Sequence, residues 1–166
     1  KLKNRNMEVM QYTIYRCAEI HMQHIAKGGD PFESGSSRPL DFGHWSAHKL
    51  EQMTKYALRH GEAVAKGIAL DVAYAKLIGL IEEKDLKRVV SVFENIGFDL
   101  HFPITTESEM EELLKGIEEF REHLGGKLTI TLISGIGKKH DVHKIDIDIM
   151  KKALNLINES SKSKVE

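Results

Sequence analysis

Apolar residues recur every three or four positions over most of the chain, which is the pattern of amphipathic helices. We predict helices over residues 7–26, 42–55, 60–80, 85–95, 106–124 and 147–157. The segment 60–80 is apolar around much of its circumference, so we expect that helix to be buried. Thr106 and Glu109 have the spacing of a capping box and mark the start of the fifth helix.

Residues 127–133 (KLTITLI) alternate with a period of two and are rich in β-branched side chains. They predict a strand, paired in a hairpin with residues 142–145. Residues 30–39 combine Gly, Ser, Asp and Pro without periodicity, as functional loops do. We therefore expect a mostly α domain with a small β-hairpin near its C-terminus, spanning residues 1–158, and a polar tail over 159–166.

Composition narrows the possible classes of partner. The 166 residues are 41% hydrophobic, and 24 Lys and Arg residues nearly balance 25 Asp and Glu residues. No strong electrostatic field favours nucleic acid or a membrane surface, so we expect neither as a partner. The single cysteine, Cys17, excludes a disulfide framework and favours a cytoplasmic location, with Cys17 as a small core residue.

Three histidines lie within seventeen positions. His44 and His48 are four apart and share a helix face, and His60 opens the next helix, so a helical hairpin could bring all three together. Histidine is a common ligand of zinc, and catalytic zinc sites often use three protein ligands. Spacing alone would favour the His44/His48 pair as the chelating residues.

The segments DFGH44xxxH48 and H60GEAVAxG67 together resemble the signature of 3-dehydroquinate synthases and related sugar phosphate cyclases. The resemblance implies that His44 and His60 bind the metal and that His48 contacts substrate. It also implies a third ligand, a glutamate on an earlier helix. Zinc is the expected metal and cobalt a second possibility.

The resemblance implies a two-domain enzyme of which this chain is the helical C-terminal domain. The sequence begins without a methionine, and we expect the NAD-binding N-terminal half and the glutamate ligand to lie outside it. No residue here is assigned to NAD, because no glycine-rich turn of the dinucleotide-binding kind is found. The intact enzyme is expected to be a homodimer, and this domain alone inactive.

Glu33, eleven residues before His44, occupies the position of the family's acidic loop. The resemblance implies that Glu33 assists proton transfer, with His48 as the second catalytic group. A carboxylate beside a metal is chemically suited to relay a proton. Taken without the resemblance, Glu33 would be a solvated loop charge.

Two departures bear on the substrate. Where dehydroquinate synthases carry an arginine that can grip a carboxylate, this chain has Ser37 with Arg38 beside it, and an expected asparagine is Asp41. The run RPLDFGH is more similar to cyclases of sedoheptulose 7-phosphate, such as 2-epi-5-epi-valiolone synthases. Arg38, Asp41 and His48 are the substrate-binding candidates here.

Arg121 lies where the family places a phosphate-binding segment, with His123 as a second candidate. Cations near the C-terminus of an exposed helix are an equally good explanation of both residues.

The implied function is an NAD- and metal-dependent lyase that eliminates phosphate from a seven-carbon sugar phosphate and closes the ring. Two alternatives stay open. One is a relative of the iron-type alcohol dehydrogenases, which also use two helical histidines at about this spacing. The other is a non-catalytic helical module that uses its apolar faces for assembly.

Overall fold

The computed structural model describes residues 1–27, 39–123 and 125–162. The mostly α fold with one small hairpin is confirmed. The helices are α1 (Met7–Lys27), α2 (His44–Met53), α3 (His60–Leu77), α4 (Glu83–Ile96), α5 (Glu107–His123) and α6 (Ile147–Lys162), with a 3-10 turn at Pro39–Asp41 and strands β1 (Ile130–Ile133) and β2 (Lys139–Val142).

Helix α3 is the centre of the domain, as its apolar sequence predicts. It packs against α2, α4, α6 and β1. Its buried surface carries few protruding side chains, because five of its buried residues are alanines: Ala63, Ala65, Ala69, Ala73 and Ala75. Small side chains allow neighbouring helices to approach closely, so α3 can serve as the common packing partner of the other elements.

The first turns of the helices follow the local signals. Thr106 Oγ1 accepts the Glu109 N–H at 3.2 Å, and the Glu109 carboxylate accepts the Thr106 N–H at 3.0 Å. The predicted capping box is therefore confirmed. At the other end of the chain α6 continues to Lys162, so its last turn includes residues that we expected in the polar tail.

The hairpin lies at the predicted place in the chain, but the predicted second strand was wrong. Ile130 pairs with Val142 and Ile133 with Lys139, in an antiparallel register. The turn between them is closed by two backbone hydrogen bonds: the Ser134 N–H donates to the Lys138 carbonyl, and the Lys138 N–H donates to the Gly135 carbonyl. Because the turn is so tight, pairing resumes at once at Lys139 and ends at Val142, where the sequence pattern had placed the strand's start.

Helix α1 carries its apolar residues largely outside the core. Six large hydrophobic side chains are more than half exposed: Met7, Tyr12, Ile14, Tyr15, Ile20 and Met22. Cys17 is also exposed, so its prediction as a core residue was wrong. The amphipathic pattern of α1 indicated an apolar face correctly, but a pattern cannot say which element covers that face.

No helix in the three described segments is both long and apolar enough to span a bilayer.

Candidate metal centre

The candidate centre lies on the hairpin formed by α2 and α3. Helix α2 begins at His44 and α3 begins at His60, so each arm contributes its first residue. The start of α3 is fixed by Glu62, whose carboxylate accepts the Arg59 backbone N–H at 3.1 Å. Glu62, the glutamate of the HGE sequence, thus caps the helix that presents His60.

The three imidazoles converge. The ring centroids of His44 and His60 are 5.4 Å apart, those of His44 and His48 are 5.5 Å apart, and those of His48 and His60 are 5.9 Å apart. Trp45, between the histidines in sequence, is buried in the core and anchors this end of α2. The hairpin therefore brings together all three histidines that the sequence singled out.

His44 and His60 each have their Nδ1 atom engaged by an acceptor. His44 Nδ1 lies 3.1 Å from the carbonyl oxygen of Phe42, and His60 Nδ1 lies 3.2 Å from both carboxylate oxygens of Glu51. Because carbonyl and carboxylate oxygens only accept, each Nδ1 carries the proton and donates. A metal would then bind both imidazoles through Nε2, which is the usual arrangement of metal-binding histidines.

A glycine pair sets the distance between the two arms. A Cβ atom on Gly67 would lie 2.0 Å from the carbonyl oxygen of Gly43, and a Cβ on Gly43 would lie 2.5 Å from the backbone nitrogen of Ile68. Gly43 also has a φ of +78°, which glycine adopts without strain. The backbones of α2 and α3 are therefore in direct contact one residue from His44.

Asp71 ties the start of α2 to the middle of α3. It is fully buried; its Oδ1 accepts the indole N–H of Trp45 at 2.8 Å and its Oδ2 accepts the Gly43 N–H at 3.0 Å. His44 stands between these two donors in sequence. Burial raises the pKa of Asp71 to about 7, although the two hydrogen bonds lower it. Asp71 thus holds the backbone that carries His44.

The raised pKa of Asp71 predicts a pH dependence of stability. Between pH 4 and 7 the folded protein keeps a proton that the unfolded chain releases, so stability falls as pH rises through this window and levels off above it. A shift of about three units corresponds to at most about 4 kcal/mol. Asp71→Asn removes the titrating group, so the stability of the wild type relative to this variant should fall by up to that amount.

Urea unfolding of both proteins between pH 4 and 8 measures this difference directly. A difference in stability that stays constant over the whole range would mean that Asp71 is ionised throughout.

The structure describes only some of the residues predicted to bind substrate or to transfer protons. Asp41 is half-buried in the 3-10 turn, three residues before His44. Arg121 donates to the Glu118 carboxylate at 2.7 Å and to the Gly126 carbonyl at 3.2 Å, so at present it closes the end of α5. Glu33 and Arg38 lie outside the described residues. Their assigned roles, and those of Asp41 and Arg121, stay predictions.

Sequence reasoning missed Glu51, which belongs to the same cluster. Donor atoms of His48, Glu51 and His60 lie within 4.8 Å of one another. The signal was present, because Glu51 follows His44 by seven residues and His48 by three. Glu51 therefore shares one face of α2 with His44 and His48.

The donor set suits a divalent cation such as zinc, which takes imidazole nitrogen and carboxylate oxygen. The imidazoles of His44 on α2 and His60 on α3 meet in one place. The Nδ1 atom of each is already hydrogen-bonded, which leaves Nε2 for a cation. The fold and this cluster define a helical domain with a candidate metal centre on its α2–α3 hairpin.

Comparison with known proteins identifies the family. The family described as 3-dehydroquinate synthase C-terminal matches residues 1–119. The 3-dehydroquinate synthase of Shewanella sp. (strain MR-4) is 32% identical over 138 residues, 82% of this chain and 37% of the relative. That of Vibrio atlanticus is 30% identical over 156 residues, 93% of this chain and 42% of the relative. The chain belongs to the 3-dehydroquinate synthase family and corresponds to its C-terminal domain.

Solved structures agree with this assignment. A 2-epi-5-epi-valiolone synthase from Streptomyces hygroscopicus subsp. jinggangensis 5008, with NAD+ and Zn2+ bound, superposes with a TM-score of 0.79 at 26% identity, over 90% of this chain and 40% of that one. A 2-deoxy-scyllo-inosose synthase in complex with carbaglucose-6-phosphate, NAD+ and Co2+ gives a TM-score of 0.53 at 20% identity, over 72% of this chain and 34% of that one, which shows a shared fold. The chain thus spans about two fifths of the length of the curated relatives.

Proposed function

We propose that this chain is the metal- and substrate-binding domain of a sugar phosphate cyclase. The observation that carries the proposal is the convergence of His44 and His60, at 5.4 Å between ring centroids, with both Nδ1 atoms hydrogen-bonded. The relatives named as 3-dehydroquinate synthases, and the zinc, cobalt and NAD+ in two similar structures, support it.

His44 and His60 would hold the cation through Nε2, and the third ligand would come from a glutamate outside this sequence. A divalent cation at this place would polarise substrate oxygens and favour their deprotonation. NAD, bound mainly by the remainder of the protein, would supply a reversible hydride transfer at a hydroxyl of the substrate. The cofactor is thus unchanged at the end of the cycle.

The residues of this chain would bind the substrate and move protons. His48 lies next to both proposed ligands and is exposed, so it can reach a substrate hydroxyl or leaving phosphate. We assign it that contact, and we assign Glu33 the role of acid and base. The cavity beside His48 is about 180 Å³, below the ~300 Å³ of typical small-molecule pockets. Further surface would therefore have to come from outside the described residues.

Asp41 bears on the choice among seven-carbon sugar phosphates. A carboxylate in place of an amide repels the carboxylate of 3-deoxy-arabino-heptulosonate 7-phosphate, whereas sedoheptulose 7-phosphate has no such group. We therefore propose sedoheptulose 7-phosphate as the preferred substrate. Like charges within one site disfavour binding by several kcal/mol at most.

The test uses the intact protein with NAD and zinc. With sedoheptulose 7-phosphate it should release inorganic phosphate, without net accumulation of NADH, because the hydride is returned to the product. The heptulosonate should react more slowly. NADH formation from simple alcohols without any phosphate release would instead favour the iron-type alcohol dehydrogenase alternative and would contradict the proposal.

A further inference from the structure

Glu51 is a largely buried carboxylate in the candidate metal centre. Its side chain is 15% exposed, and both carboxylate oxygens lie 3.2 Å from Nδ1 of His60 on the opposite arm of the hairpin. Among the described residues no Lys or Arg side chain is paired with it. Burying a carboxylate is costly unless it is hydrogen-bonded, so the His60 N–H is its main compensation.

Two roles are chemically open to Glu51. It could be a direct ligand, since donor atoms of His48, Glu51 and His60 lie within 4.8 Å of one another. Alternatively, it could hold His60 in place by accepting a proton from its ring. These roles make different demands on the same imidazole.

The geometry favours the second role. Both oxygens face one ring nitrogen at equal distance, so the His60 proton stands between the ring and the carboxylate. That nitrogen cannot bind a metal while it donates. The remaining nitrogen, Nε2, is on the opposite side of the ring, and His44, whose Nδ1 donates to Phe42, presents its own Nε2 in the same manner.

We infer that Glu51 is a positioning residue for the cation site: it fixes the Nδ1–H tautomer and the ring orientation of His60, so that Nε2 points at the metal. The inference rests on the proposed metal-binding role of His60. A carboxylate partner also makes the imidazole a stronger metal ligand than a carbonyl partner does. The two proposed ligands would therefore be tuned differently, His60 by a carboxylate and His44 by the backbone.

The first measurement needs no metal. In the metal-free chain at pH 8, well above the ordinary histidine pKa of about 6.5, nitrogen NMR should show His60 protonated at Nδ1. In Glu51→Ala the ring should shift to a mixture with the Nε2–H form. In Glu51→Gln it should stay at Nδ1–H, because the amide oxygen can still accept. Unchanged His60 signals in Glu51→Ala would overturn the inference.

The second measurement is the affinity for zinc, by competition with a chelator. Removing an outer-shell partner typically weakens metal binding 10–100-fold, so we expect about that loss for Glu51→Ala and a clearly smaller one for Glu51→Gln. If Glu51 were a direct ligand, both variants would lose affinity equally, since neither side chain retains the carboxylate. Equal losses would overturn the positioning role.

Glu122→Gln is the matched control, because it removes the same single charge from an exposed position on α5. It should leave both readouts unchanged. The tautomer measurement also separates this inference from the proposed function. If the intact protein releases no phosphate but its His60 tautomer depends on Glu51, the proposed cyclase function is wrong and the positioning of His60 by Glu51 still holds.

Discussion

Replacing His60 with alanine should lower the affinity of the intact protein, which includes the expected glutamate ligand, for zinc by more than about 100-fold. The loss should exceed the 10–100-fold typical of outer-shell changes, because a donor atom itself disappears. His44→Ala should have an effect of the same size, since His44 is the proposed donor from the other arm. Zinc titration with a competing chelator measures both losses.

His140→Ala is the control for these variants. His140 is exposed on β2 and belongs to neither arm of the α2–α3 hairpin, so its loss should leave zinc affinity unchanged. Should His44→Ala and His60→Ala bind zinc as tightly as the wild type, the assignment of the site would be wrong. A large loss with all three variants would indicate a nonspecific response to histidine removal.

Gly67→Ala should destabilise the domain by more than about 3 kcal/mol and separate the arms of the metal centre. The new Cβ would lie 2.0 Å from the Gly43 carbonyl oxygen and 2.8 Å from Ser46 Oγ, so α2 must move away from α3. Overpacking commonly costs 1–3 kcal/mol, and here the obstacle is backbone, which cannot swing aside as a side chain can. The same movement would carry His44 away from His60.

Gly61→Ala supplies a matched control on the same helix. Gly61 follows His60 directly, yet a Cβ there would meet nothing within 4 Å. Alanine favours a helix by up to about 1 kcal/mol over glycine, so this variant should be neutral or more stable. Chemical denaturation and zinc titration should therefore show a loss for Gly67→Ala and none for Gly61→Ala. Equal stability of the Gly67→Ala variant and the wild type would contradict the close helix contact.

The sequence predicted the helices and the convergence of the histidines because both are local. An apolar residue every three or four positions specifies a helix, and a short turn between two helices makes them neighbours. Three positions of the HGEAVAxG segment now have a structural explanation: His60 faces the centre, Glu62 caps α3, and Gly67 admits the backbone of α2.

The roles of Asp71 and Glu51 were not predicted, because they depend on contacts that form only in the folded chain. Asp71 is an acidic residue in the middle of an apolar helix, which should have indicated a buried hydrogen-bonding role. Its donors, Trp45 and Gly43, lie more than 25 residues away in the chain. Glu51 was overlooked although its spacing places it on the same face of α2 as His44 and His48, because its partner His60 comes within reach only when α2 and α3 have packed together.

The bounds of strand β2 and the exposure of Cys17 show what hydrophobic periodicity alone cannot predict. Alternation located β1, but the register is set by a tight turn between residues 134 and 138, which alternation does not encode. For α1 the pattern identified an apolar face, and the structure leaves that face largely uncovered by the other described elements. Patterns of this kind specify faces, and only the folded chain shows their partners.

The central claim is that His44 and His60 share one cation. Anomalous diffraction at the zinc edge, from crystals of the intact protein grown with zinc, tests it most directly. The account predicts one peak at about 2.0–2.1 Å from Nε2 of each of these two residues. A peak held by His48 and Glu51 without His44, or two imidazoles turned away from each other, would contradict it.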